Sequence, residues 1–145
     1  MTTFVIDASV AIQWVVDEDG SSQALALRKN ARLVAPDLLS AECANILWKK
    51  AQRGELTGAE ADLAARLLER ADVELLPMRA LIQAATRIAI DFSHPAYDCI
   101  YLALALTNQW RFVTADDRLV QKMRRQLDRS LSAAIISLAE APARS

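Results

Sequence analysis

The chain has 145 residues, 53% hydrophobic and 24% charged, which suffices for one domain with its own core and excludes a disordered or collagen-like segment. A formal net charge of −1 gives no global attraction for nucleic acid, so a polyanion would need local basic patches or bound cations. The two cysteines, Cys43 and Cys99, lack C-x-x-C spacing and read as reduced packing residues. The opening Met1-Thr-Thr-Phe-Val-Ile-Asp7 has no basic leader, and no run reaches the roughly 18 apolar residues of a membrane span, which predicts a soluble cytoplasmic protein.

Taken in order, Phe4-Val-Ile6 is a continuously apolar run, as expected of a strand near the centre of a sheet covered on both faces. Leu33-Val-Ala35 reads as the second strand. The apolar helix beginning at Leu38 runs to Lys49-Lys50-Ala-Gln-Arg53 and stops at Gly54, where Thr57-Gly-Ala-Glu60 supplies a capping box for the next helix. A helical hairpin is therefore expected around residues 54–58. Val73-Glu-Leu-Leu76 is the third strand. Ser93-His94-Pro95 opens a further helix through Leu106, with proline in the first helical position and Ser93 or His94 as cap. That helix is apolar almost all round and should be central. Arg111-Phe-Val-Thr114 and Ala134-Ile-Ile-Ser137 complete five strands, whose alternation with helices predicts a parallel sheet in a single α/β domain over 1–145. Only 142–145 reads as a loose tail.

Several chemistries are excluded by residue type. Three glycines form neither a phosphate-cradling loop nor a dinucleotide fingerprint. The single histidine, His94, cannot supply an acid and base pair, and no G-x-S-x-G elbow offers it a serine, so His94 reads as a cap or surface residue. The three tryptophans, Trp14, Trp48 and Trp110, read as core or interface aromatics.

What remains is acidic. Asp7 follows the first strand and Asp116 the fourth, and the carboxyl ends of parallel strands form the ligand crevice of open α/β sheets. Glu42 and Asp98 lie inside apolar helices, Glu42 on a face with Asn45 and Ile46, Asp98 on a face with Tyr101, Leu102 and Ala105. Each acid alone has an ordinary explanation as a cap, a dipole partner or half of an ion pair. Together they do not, because carboxylates about 4 Å apart repel by about 4 kcal/mol per pair at an effective dielectric of 20. A cluster of oxygen ligands without histidine or thiolate calls for a hard cation, Mg²⁺ or Mn²⁺.

Asp7-Ala-Ser9, Glu42-x-x-Asn45, Tyr97-Asp98-x-x-Tyr101-Leu-Ala-Leu-Ala105 and Val113-Thr-Ala-Asp116 stand in the order and spacing of the PIN-domain ribonucleases. The chain most resembles their VapC-like toxins over nearly its whole length. The resemblance implies a three-layer α/β/α sandwich around a central parallel sheet of about five strands. It implies Asp7, Glu42, Asp98 and Asp116 as the catalytic, metal-binding acids, Asp7 and Asp98 foremost, with Ser9, Asn45, Thr114 and Asp117 as polar support. Asp116 rather than Asp117 is expected to face the metal. It further implies a Mg²⁺-dependent endoribonuclease in which Mn²⁺ can substitute, a homodimer, and a cognate antitoxin whose tail occupies the acidic groove. Apolar helices such as 9–16 and 38–48 are candidate partner surfaces. Arg111, Arg118, Lys122, Arg124, Arg125 and Arg129 are candidates for holding the RNA backbone, against the alternative of a solvated basic helix face. Lys49, Lys50 and Arg53 read as complements to a helix C-terminus.

Rival folds fare worse. A receiver-like signalling domain needs an aspartate ending its third strand and a lysine ending its fifth, where this chain has Leu76-Pro77 and Ser137-Leu138. A haloacid-dehalogenase-type phosphatase needs a second acid where Ser9 stands. The alternative kept is a non-catalytic PIN-like module for RNA or protein binding.

Overall fold

Short apolar runs with β-branched residues form the five strands: β1 (Thr3–Ile6), β2 (Arg32–Pro36), β3 (Glu74–Leu76), β4 (Arg111–Thr114) and β5 (Ile135–Ser137). The computed structural model describes residues 1–126 and 129–141, so the expected tail at 142–145 lies outside the described residues. All neighbouring strands pair in parallel in the order β3-β2-β1-β4-β5, as the alternation with helices required. β1 occupies the middle, and Phe4, Val5 and Ile6 have no exposed surface. Ile6 pairs with Val113, which brings the next residues, Asp7 and Thr114, level at the carboxyl edge.

Eight α-helices among the described residues flank the sheet: α1 (Ala8–Ala11), α2 (Ser21–Asn30), α3 (Leu38–Gln52), α4 (Gly58–Glu69), α5 (Ile82–Phe92), α6 (Ala96–Asn108), α7 (Asp117–Arg124) and α8 (Arg129–Ala134). α1 packs on β4 and α3 on β2, with α4 against α3. α6 lies across β1, β2 and β4, with α5 and α8 beside it. The chain crosses from β1 to β3 in one direction and from β3 to β5 in the other. Right-handed crossovers therefore put α1–α4 and α5–α8 on opposite faces, giving the three-layer sandwich. The nearly all-apolar sequence of α6 follows from this position, since Cys99 and Tyr101 through Ala105 are buried between sheet and neighbouring helices.

The helical hairpin forms as expected. Gly54 adopts φ +75° beyond the end of α3, and its N–H and that of Glu55 return to the carbonyls of Ala51 and Lys50. Thr57 and Glu60 close the capping box in both directions, at 3.1 and 2.8 Å. The start of α6 differs from expectation. Ser93, at φ 50°, terminates α5, Pro95 is the N-cap rather than the first helical residue, and neither Ser93 nor His94 caps the helix with its side chain. The imidazole is drawn instead to Asp98 in the first turn.

Both cysteines are buried and free, and burial pushes their thiols up to about 12 for Cys43 and about 11 for Cys99, so neither is a thiolate near neutrality. Trp14 and Trp110 are partly buried against the core, and Trp14 Nε1 donates to the Ala24 carbonyl at 2.9 Å. Trp48 departs from the core reading: 57% of it is exposed. No described helix is long and apolar enough to cross a membrane. Phe112 of β4, fully buried, stacks on Tyr101 with ring centroids 5.5 Å apart. Phe112→Ala should lower the unfolding free energy by about 3–5 kcal/mol in urea titrations, as expected for a buried aromatic replaced by alanine.

Candidate functional site

The strand order reverses between β1 and β4, whose following helices leave toward opposite faces of the sheet and open a crevice at their carboxyl ends. Asp7 stands at this point as N-cap of α1 and is only 7% exposed. Its Oδ1 accepts from Ser9 Oγ at 2.5 Å and its Oδ2 from Thr114 Oγ1 at 2.7 Å. Ser9 Oγ in turn accepts from the Ala115 N–H, and Gln13 Nε2 donates to the Ser9 carbonyl at 3.1 Å. Two hydroxyls and two strand ends thus fix one carboxylate.

That carboxylate has no cationic partner: among the described residues, Asp7, Glu42 and Asp116 take part in no ion pair. Burial pushes the Asp7 carboxyl up from its ordinary value to about 6, against the lowering effect of its two hydroxyl donors, and the charge of Asp98 raises it further. Burial likewise raises Glu42, opposed by a hydrogen bond from Tyr101 and reinforced by Asp98. The charge of Asp98 therefore bears on both Asp7 and Glu42.

The fourth acid is arranged differently. Asp116 is exposed and caps α7, its Oδ1 accepting from the N–H groups of Arg118 and Leu119 at 3.1 and 3.2 Å. It lines a groove with Ser9, whereas Asp117 lines an adjoining hollow with Asp19; Gln13 and Glu18 border both. Among the described residues no three acidic, histidine or cysteine side chains lie close enough to form a ready-made metal cage. Each acid is instead tied to its own protein donor: Asp7 to hydroxyls, Glu42 to Tyr101, Asp98 to His94, Asp116 to a helix end.

The expected support residues divide. Ser9 and Thr114 hold Asp7, while Asn45 is exposed on α3 and makes no hydrogen bond with Glu42. The donor to Glu42 Oε1 is Tyr101 Oη, at 2.5 Å. Its signal was present in the sequence as a tyrosine one turn after Asp98. The basic candidates divide as well. Arg111 opens β4 at the opposite edge of the sheet, Arg124 pairs with Glu140, and Lys122 Nζ donates to Ser93 O and His94 Nδ1. Arg118, Arg125 and Arg129 remain exposed.

With this geometry in view, the model of the PIN domain family matches residues 4–125. The chain belongs to the PIN-domain family. It is 34% identical to ribonuclease VapC9 of Mycobacterium tuberculosis strain H37Rv over 79% of this chain and 87% of that protein. It is 32% identical to ribonuclease VapC3 of Pyrobaculum aerophilum over 81% of this chain and 92% of the relative. The PIN fold is also seen in the crystal structure of PAE2754 from Pyrobaculum aerophilum, at TM-score 0.69, 22% identity and coverage of 99% and 94% of the two chains. The structure of VapBC2 from Rickettsia felis bound to a promoter DNA fragment matches at TM-score 0.64 with 10% identity, covering 94% of this chain and 98% of that one.

PIN proteins as a family imply a divalent cation, and the donor set here fits one. It is all oxygen, it includes a carboxylate buried without a counter-charge, and a second carboxylate raises its pKa, a burden a cation would lift. Because the folded Asp7 carboxyl lies above its unfolded value of 3.8, ionisation opposes folding above about pH 6, and this penalty disappears as pH falls toward 4. The Glu42 shift has the same sign. In chelator, wild-type protein should therefore be more stable at pH 5 than at pH 8. Asp7→Asn should flatten that difference and raise stability at pH 8 by about 1–3 kcal/mol, the cost of ionising a carboxyl raised to about 6. Urea midpoints across pH for the two proteins check it.

Proposed function

We propose that this PIN protein is a Mg²⁺- or Mn²⁺-dependent endoribonuclease, the toxin of a toxin–antitoxin pair. The observation that carries this reading is the buried Asp7 carboxylate at the β1–β4 crevice, coupled to Asp98 and free of any protein cation among the described residues. Relatives more than 30% identical over most of their length bear the name VapC ribonuclease, which supports RNA as substrate.

Asp7 and Asp98 would hold the cation, with Glu42 and Asp116 completing its surroundings. Once bound, such an ion activates water and neutralises charge on the phosphate. The chain's own residues do the rest. Ser9 and Thr114 keep the Asp7 oxygens oriented, and Tyr101 fixes Glu42, whose raised pKa suits it to take a proton from water; Asp116 is the other candidate for that transfer. In-line attack would leave 5′ phosphate and 3′ hydroxyl ends.

The strand itself has a path. A groove of about 470 Å³ runs from Ser9 and Asp116 to Lys49, Lys50 and Arg53 near the end of α3. Lys50 is paired with Glu18 at 2.9 Å, while Lys49 and Arg53 are exposed and in no ion pair among the described residues. These two, with Arg118, are better sited for flanking phosphates than Arg111, Lys122 or Arg124. A second, apolar groove of about 460 Å³, lined by Trp14, Leu39, Cys43, Leu47, Leu68 and Val73, suits an apolar antitoxin segment. Exposed Ile82, Ile90 and Tyr97 offer a self-association surface for a cytoplasmic homodimer.

Purified protein with Mg²⁺ should cut structured RNA to products with 5′ phosphates, and Asp7→Asn or Asp98→Asn should slow cleavage at least about 100-fold, of the order expected when electrostatic stabilisation is lost. Chelator should abolish it. Undiminished cleavage in Asp98→Asn protein or in chelator would defeat the catalytic reading, and RNA binding without cleavage would favour a non-catalytic module.

A further inference from the structure

The turn between α5 and α6 carries a contact chain of which only Asp98 enters the proposed reaction. His94, with a side chain only 13% exposed, sits with Nε2 2.7 Å from Asp98 Oδ2 and Nδ1 2.9 Å from Lys122 Nζ. Lys122 Nζ is anchored a second time, by the Ser93 carbonyl at 3.0 Å. Three elements meet here: the left-handed end of α5 at Ser93, the first turn of α6 and the body of α7.

The direction of each hydrogen bond follows from donor chemistry. An ammonium has no lone pair and can only donate, so Nδ1 must accept from Lys122. The remaining ring proton of a neutral imidazole is then on Nε2 and points at Asp98 Oδ2. Asp98 Oδ1 receives no hydrogen bond among the described residues, so one carboxylate oxygen is held and the other is left available.

We propose that His94, held in this tautomer by Lys122, is a positioning residue that orients the Asp98 carboxylate toward the divalent cation. The proposal rests on the reading of Asp98 as a metal ligand. A ligand held by an outer partner loses less freedom on binding, and loss of such partners weakens metal affinity by about 10–100-fold. His94 is therefore neither a helix cap nor a solvated surface residue. Lys122 forms no direct ion pair with Asp98 among the described residues, and its hydrogen bond reaches the carboxylate through the ring.

Isothermal titration with Mn²⁺ on the whole chain, alongside thermal melts in chelator, tests this. His94→Ala should weaken Mn²⁺ binding about 10-fold or more without a matching fall in the metal-free melting temperature. Glutamine matches the reach of Nε2 and asparagine does not, so His94→Gln should recover most of the affinity and His94→Asn should not. Lys122→Met should lower affinity by a smaller factor, with His94 left in place. Mn²⁺ affinities within twofold of wild type for His94→Ala, or equal rescue by glutamine and asparagine, would overturn the proposal. Asp98→Asn separates the two readings. If it binds Mn²⁺ as well as wild type does, Asp98 is not a ligand and both readings fall; if it loses Mn²⁺ while His94→Ala does not, only the positioning role falls.

Discussion

A carboxylate buried beside the central strand, without a counter-charge among the described residues, is the constraint around which the rest of this structure is arranged. Asp7 follows β1 directly, so it cannot leave the sheet edge without disturbing the strand and the helix it caps. Its two oxygens are met by Ser9 from the next turn and by Thr114 from the neighbouring strand, each at hydrogen-bond distance. Those neutral donors reduce the desolvation penalty but do not remove it, since burial still holds the carboxyl up at about 6. Stability alone would favour an apolar or amide side chain at this position. An acid here is what the proposed divalent cation would require.

The topology makes the arrangement possible. Parallel strands present their carboxyl ends together, and the reversal of strand order between β1 and β4 separates the following helices enough to leave a crevice. α6 crosses beneath the centre of the sheet and carries Asp98 in its first turn and Tyr101 one turn later. The stack of Tyr101 on Phe112 fixes the ring whose hydroxyl reaches Glu42 on α3, from the opposite layer. A packing contact in the core therefore sets the orientation of an acid at the rim, and the site is stitched across all three layers.

Most of the scaffold was legible in the sequence because local signals agreed with one another. Apolar β-rich runs, a capping box at Thr57 and Glu60 and a glycine at the end of α3 each have a local physical cause, and all five strands formed within a residue or so of the expected bounds. The acids on strand ends were legible for the same reason. What was hidden depends on contacts across the chain: Tyr101 on Glu42 spans 59 residues, and Lys122 on His94 spans 28. Charge clustering along a sequence says little about direction. Arg111 sits only three residues before Thr114, yet a four-residue strand carries it to the far edge of the sheet.

Under the proposed function, a site that gathers acids for a cation and cations for a phosphate must keep the two from cancelling. Direct pairing of Lys122 with Asp98 would satisfy both charges and compete with a divalent ion for the same oxygens. Here a neutral imidazole stands between them, taking a hydrogen bond from the ammonium and giving one to the carboxylate. The orienting force passes along the chain while the formal charges stay apart, and Arg124 is drawn away from the crevice by Glu140. Lys49 and Arg53 remain at the distant wall of the groove, where they can meet a polyanion without quenching the acids. Distance and one ring would thus let a chain with a net charge of −1 hold both an acidic centre and the proposed basic approach to it.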